Sequence, residues 1–331
     1  MPSDNYPYAI GRIKIIENSL LDAQRIARLS ELPYAEAVRQ LADWGYAADY
    51  PVKTDPDALI DFRRKEARAL VDEVTPDKEL TDLFYLETDA TNVKLLLKYR
   101  ALGGEGLEAT PLPDGVFDAA TLRECVLSGD YSPLGGVLAE GLDKADDALG
   151  ADFNPRILSA AVDNAFFAHA FEILAAKKND FCSNYFKTKV DFINVLSVLR
   201  ARALGWGEEA FAPMIVAGGN ISNEALLEAV SANDDKLAEL LAIRGRTDLV
   251  ELDNSDAKVI KSAIELYRAG AFEDARGALA DALIKFARDE HYDSFGLGPV
   301  ACFALLSERE AKALRVMFAK KRAGAALRAE A

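Results

Sequence analysis

Two histidines, three cysteines and a large excess of carboxylates are the residues of this chain with the chemistry for catalysis or metal binding. His169 lies in the apolar stretch "AFFAHAFE" and reads as a core or interface histidine. His291 follows Asp289 and Glu290 and precedes Asp293, four groups able to ligate a metal. Consecutive residues point apart, so a solvated acidic loop is the preferred reading there. Cys125, Cys182 and Cys302 are distant and odd in number, and no CxxC pair occurs; buried free thiols in a reducing compartment are expected. Gly296 and Gly298 in "SFGLGP" resemble half of a dinucleotide fingerprint, but Pro299 follows them, and they read as a turn into a last helix. No GxxxxGK[ST], HExxH or GxSxG is present. Carboxylate pairs are too numerous to nominate an acid and a base. The expectation is a non-catalytic chain with no cofactor and no metal.

What does recur is a helix. "FYLETDATNVKLLLKYRALG" (84–103) and "FKTKVDFINVLSVLRARALG" (186–205) share nine of twenty positions at an offset of 102, among them Asp89/Asp191, Asn92/Asn194 and Arg100/Arg202. Residues three apart share a helix face, so each copy presents an Asp/Asn step. A third version is "LLSEREAKALRVMFAKKRAG" (305–324), with Glu310 where Asp191 stood and Ala313 where Asn194 stood. Downstream of the first two, "LRECVLSGD" (122–130) returns as "LLEAVSAND" (226–234), with a weaker third version in "EAVRQLADWGY" (36–46).

The elements around these segments are helical nearly throughout. Apolar residues of "YAIGRIKIIENSLLDAQRIARL" fall near a 3.6-residue period. Thr75-Pro76, Ser132-Pro133, Asn154-Pro155 and Gly298-Pro299 read as helix starts, since proline at the first position loses no intrahelical bond. Gly103, Gly205 and Gly324 follow basic last turns and read as helix ends. "PMIVAGG" is the one short run resembling a strand, and no strand is assigned to it. The predicted fold is all-α: three homologous helical-bundle repeats, residues 1–103, 104–205 and 206–331, in a pseudo-threefold arrangement.

A net charge of −15, from 54 acids and 39 bases, repels phosphate backbones and argues against a nucleic-acid partner. No secretory layout marks the N-terminus, no apolar run is read as approaching the ~20 residues that span a bilayer, and Asn220-Ile221-Ser222 reads as a chance sequon. Within this acidic chain, Lys94, Lys98, Arg200, Arg202, Arg315 and Lys320 cluster on the repeated helices. They read either as a basic socket gripping a partner's shaft or as cations complementing their own helix dipoles.

The repeated D-x-x-N helix, the "YAIGRI…LL" opening, "YFKTKVDFINV" (185–195) and "PV…EREAKALR" (299–315) together resemble the C subunit of V/A-type rotary ATPases, the family of the vacuolar d subunit. The likeness runs from about Tyr6 to Gly324, and Ala313 departs from it. It implies a funnel-shaped, non-catalytic rotor subunit at the cytoplasmic face of the membrane. There it would link the central axle to the proteolipid ring without spanning the bilayer, transmitting torque for proton or sodium transport. The alternative is a soluble helical scaffold with no membrane partner.

Overall fold

The computed structural model describes residues 6–104, 111–147, 149, 154–242, 255–289 and 296–329. In chain order the α-helices are α1 (Tyr6–Glu17), α2 (Ala23–Glu31), α3 (Tyr34–Asp43), α4 (Pro56–Val74), α5 (Lys78–Asp82), α6 (Leu86–Ala101), α7 (Ala119–Ser128) and α8 (Gly136–Asp147). They continue as α9 (Pro155–Lys177), α10 (Asp180–Ala203), α11 (Glu208–Phe211), α12 (Asn223–Ser231), α13 (Asp234–Leu240), α14 (Ser255–Arg268), α15 (Phe272–Asp289) and α16 (Gly298–Ala329). Among the described residues there is no strand. The fold is all-α, as expected.

Local chemistry sets the helix boundaries. Asn154 caps α9 by accepting from the Arg156 amide, with Pro155 at the first position, and Asp55–Pro56 does the same for α4. Gly298 opens α16. Gly103 and Gly205 end their helices with φ of +70° and +67°. Other boundaries differ from the expectation. After Thr75-Pro76 the capping residue is Asp77, and Ser132-Pro133 opens only a short 3₁₀ turn. Gly324 ends nothing, because α16 runs on to Ala329 and an isolated glycine costs a long helix only about 1 kcal/mol. The opening segment breaks between Glu17 and Ala23, where Asp22 caps α2.

The chain packs as two compact units, a division distinct from the repeat. The first takes residues 1–84 and 288–331 and so joins both chain ends. Its core includes Leu29, Leu41, Leu59, Ile60, Leu314 and Phe318. An ionic zipper runs between α4 and α16: Asp57, Asp61 and Arg64 meet Arg322, Arg315 and Glu308, each step close to two turns on α16. Arg64 is almost fully buried and holds Glu308 with two donors, Nε at 3.0 Å and Nη2 at 2.9 Å.

The second unit, residues 85–287, has a core drawn from α10, α11, α12, α13, α14 and α15, with Phe211, Leu226 and Leu237 almost fully buried in it. Helix α9 amends one expectation. It has 23 residues with a mean hydropathy of 1.3 in its most apolar stretch, long and apolar enough to cross a membrane by composition. Here it packs on α8 and α6. Midway along it, Asp163 and Asn164 are bound to protein groups.

Candidate functional site

Each repeated helix carries a joint that fixes the start of the next small helix. Asp89 on α6 is fully buried, and its carboxylate accepts from the Val116 amide at 2.7 Å and the Phe117 amide at 3.4 Å. One turn on, Asn92 both accepts from the Leu112 amide (2.7 Å) and donates to the Leu112 carbonyl (2.9 Å). Asp118 then caps α7 through the Thr121 amide. Finally Arg100 reaches the Val126 carbonyl near the far end of α7 and the carboxylate of Asp146. One helix thus grips both ends of its neighbour.

The second copy repeats these bonds. Asp191 accepts from the amides of Asn220 (2.7 Å) and Ile221 (2.9 Å) and from the Asn220 side chain (2.8 Å). Asn194 pairs in both directions with Val216, at 2.9 and 2.8 Å. Ser222 caps α12, and Arg202 takes the carbonyls of Ala229, Val230 and Ala232 together with Asp234. The apparent sequon is therefore structural. In "PMIVAGG", Pro213 and Met214 lie in a short 3₁₀ turn and Ile215 is extended, and Asn194 and Asn164 occupy the backbone groups of Ile215, Val216 and Ala217 that a ladder would use.

Both Asp joints need glycine. A Cβ on Gly115 would lie 2.0 Å from an Asp89 oxygen, and one on Gly219 would lie 2.3 Å from Asp191. No such approach is tolerated.

The third copy is wired differently, and its small helix is not the segment at 36–46. Glu310 accepts from the Leu21 amide at 2.5 Å, just ahead of the Asp22 cap of α2. Lys321 donates to the carbonyls of Ser30 and Leu32, positions that match Val230 and Ala232 at an offset of 200. The C-terminal helix therefore closes on the N-terminal segment. Ser19 stands where the other copies have glycine, and a Glu takes the place of the Asp. It collects one amide only, since the Leu20 amide bonds to Glu17. The matching position to Val216 is Ile16, whose carbonyl is already taken by the Ser19 amide and hydroxyl. No amide side chain is needed, which accounts for Ala313.

Electrostatics set the third joint apart. Oε2 of Glu310 and the Tyr46 hydroxyl are buried with no hydrogen-bond partner among the described residues. Burial pushes the Glu310 carboxyl up to about 7, against the opposing pull of the Leu21 amide and Arg63. Tyr46 is also pushed up, by burial and then by the charge of Glu310.

The six basic residues divide. Lys94 is paired with Asp163 at 2.5 Å, Arg202 is bound as above, and Arg315 is paired with Asp61. Lys98 and Arg200, equivalent at the offset of 102, and Lys320 make no hydrogen bond or ion pair within the described residues; Arg200 and Lys320 are exposed. Close to Lys94, Lys189 meets Glu87 at 2.8 Å. Burial opposes the Lys189 charge, but Glu87, Tyr185 and Asp163 hold its ammonium above the ordinary range. Asp163 is pushed up by burial, which outweighs the contact with Lys94.

The groups singled out for chemistry do not assemble. His169 lies beside the Phe117 ring, with burial lowering its pKa, and the three cysteines are buried free thiols. Among the described residues no three His, Cys, Asp or Glu side chains form a metal-binding group. Glu290, His291 and Asp293 lie outside the described residues. The repeat pairs Arg100 with Arg202 and Gly115 with Gly219, but it does not show that the arginines and Lys321 bind the carbonyls of a neighbouring small helix or that the glycines admit an Asp carboxylate.

The model of the ATP synthase (C/AC39) subunit family matches residues 9–326. Similar curated proteins include the A-type ATP synthase C subunit of Methanothermobacter thermautotrophicus, 24% identical over 96% of this chain and 85% of that protein. The corresponding protein of Methanobrevibacter smithii is 24% identical over the same shares. That of Thermococcus onnurineus is 25% identical over 78% of this chain and 75% of that protein. The chain belongs to the ATP synthase (C/AC39) subunit family.

Proposed function

We propose that this chain is the non-catalytic C subunit of an A-type ATP synthase. It acts as a central-stalk rotor part that links the axle subunits to the proteolipid ring at the cytoplasmic face of the membrane. The family match across nearly the whole chain carries this reading. Torque is then passed on by shape and stiffness, and the coupled ion is a proton or sodium.

The registers of the ion pairs support the reading of related copies along the chain. Lys94 of the first copy pairs with Asp163 of the second, and Arg315 of the third pairs with Asp61 of the first. Lys94 and Arg315 are equivalent positions, as are Asp61 and Asp163. Glu87 and Lys189 are likewise equivalent at the offset of 102 and touch each other.

Within the proposed axle socket, Lys98, Arg200 and Lys320 are the cations left for a partner, because Lys94, Arg202 and Arg315 are already committed. Membranes depleted of this chain are the test. ATP hydrolysis should persist while ATP-driven ion transport is lost, and adding the chain back should restore coupling. Undiminished transport without it would reject the rotor role. Calorimetry of the isolated chain with ATP should show no one-to-one heat at micromolar concentration.

A further inference from the structure

The first unit contains a buried carboxyl whose two counterparts in the second unit are fully occupied while it is not. Asp89 and Asp191 each meet two backbone amides. Glu310 meets one, and its second oxygen and the Tyr46 hydroxyl stay without partners within the described residues. Only 3% of Glu310 is exposed, so water does not supply the missing bonds freely. We propose that Glu310 is a proton-sensitive joint: protonated, it holds the turn between α1 and α2 against α16, and ionised, it loosens that turn.

The surrounding charges do not cancel an ionised Glu310. From α4, Arg63 faces it but also meets Glu66 and the Ser19 hydroxyl. Arg64 is held by Glu308, and Arg315 by Asp61. Tyr46, between α3 and α4, offers a hydroxyl and no charge at neutral pH. On the α1–α2 side, Asp22 is spent on the Arg25 amide, and Glu17 lies near Cys302. Among the described residues, the Leu21 amide remains as the one hydrogen-bond donor. A lone carboxylate oxygen in such a place favours the neutral acid.

The folded carboxyl, at about 7, binds its proton more tightly than an ordinary Glu at 4.5. Its stabilising contribution is therefore complete below 4.5 and is lost as pH rises through about 7. The shift corresponds to a change in folding constant of roughly a hundredfold between pH 4.5 and 8.

The experiment is a carbon-13 titration of the Glu310 carboxyl in the full chain, read together with hydrogen exchange at the Leu21 amide corrected for its intrinsic pH dependence. The expected midpoint is near 7, with Leu21 protection falling over the same range and Val116 and Ile221 unchanged. Glu310→Gln should abolish the Leu21 response and lessen the fall in stability from pH 5 to pH 8 by tenfold or more in the unfolding constant. A midpoint in the ordinary Glu range, or Leu21 protection indifferent to pH, would overturn the proposal. Should the Gln variant fail to fold, the wild-type titration decides alone.

Discussion

The Asp joints of the second unit and the Glu joint of the first perform one task with different chemistry. In the second unit the backbone comes close enough, over Gly115 and Gly219, for a short carboxylate to satisfy two amides. In the first unit Ser19 takes the glycine position, and a longer carboxylate satisfies one amide. The first arrangement gives a carboxylate two amide donors, and the second leaves one buried carboxyl oxygen without a donor among the described residues. One added methylene, set against one absent glycine, goes with the loss of one amide donor.

The same isosteric change should have opposite consequences on the two sides. Asp191→Asn turns a donor toward two amide donors and should lower the unfolding free energy by about 2–4 kcal/mol, with Asp89→Asn alongside it. Glu310→Gln retains an acceptor for Leu21 and removes a buried charge, so at pH 8 it should be neutral or stabilising. Urea denaturation at pH 8 distinguishes them; equal losses at all three sites would break the comparison.

A smaller effect is expected at the glycines. Gly219→Ala and Gly115→Ala force a Cβ against an Asp oxygen and should cost about 1–3 kcal/mol through local displacement. Ser19→Gly relieves nothing and should change the melting temperature little beyond the cost of added backbone freedom. A similar loss at all three positions would mean that glycine is not what permits the Asp joints.

Much of this was legible in the sequence. The offset of 102 identifies α6 and α10, and Asp/Asn at three residues with Arg beyond marks one face of each. The offset does not reveal what that face is for. The Asp and Asn side chains bind loops about twenty to thirty residues downstream, which no helical periodicity encodes. The third copy is harder still, because its small helix precedes its long one by about 280 residues. A search running downstream from Glu310 meets the chain end. Gly324 misleads for a simpler reason: a basic turn followed by glycine is compatible with a helix end but does not compel one.

The smallest stability effects belong to the cations, and they sharpen the division among the six. Lys94→Glu places like charges beside Asp163 and should destabilise the second unit clearly. Lys98→Glu and Arg200→Glu have no partner to lose among the described residues and should stay within about 0.5 kcal/mol of the parent. If the socket is real, that second pair weakens axle binding, most strongly at low salt, with the melting temperature held. Unchanged affinity would assign these residues to their own helices.

The central claim is that this chain works inside a rotary ATP synthase and not alone. Mild detergent extraction of membranes, capture of the tagged full-length chain and mass spectrometry test it most directly. The account predicts that proteolipid and axle subunits are recovered together with it in constant ratio. Recovery of the chain by itself, or with soluble proteins only, would contradict the assignment.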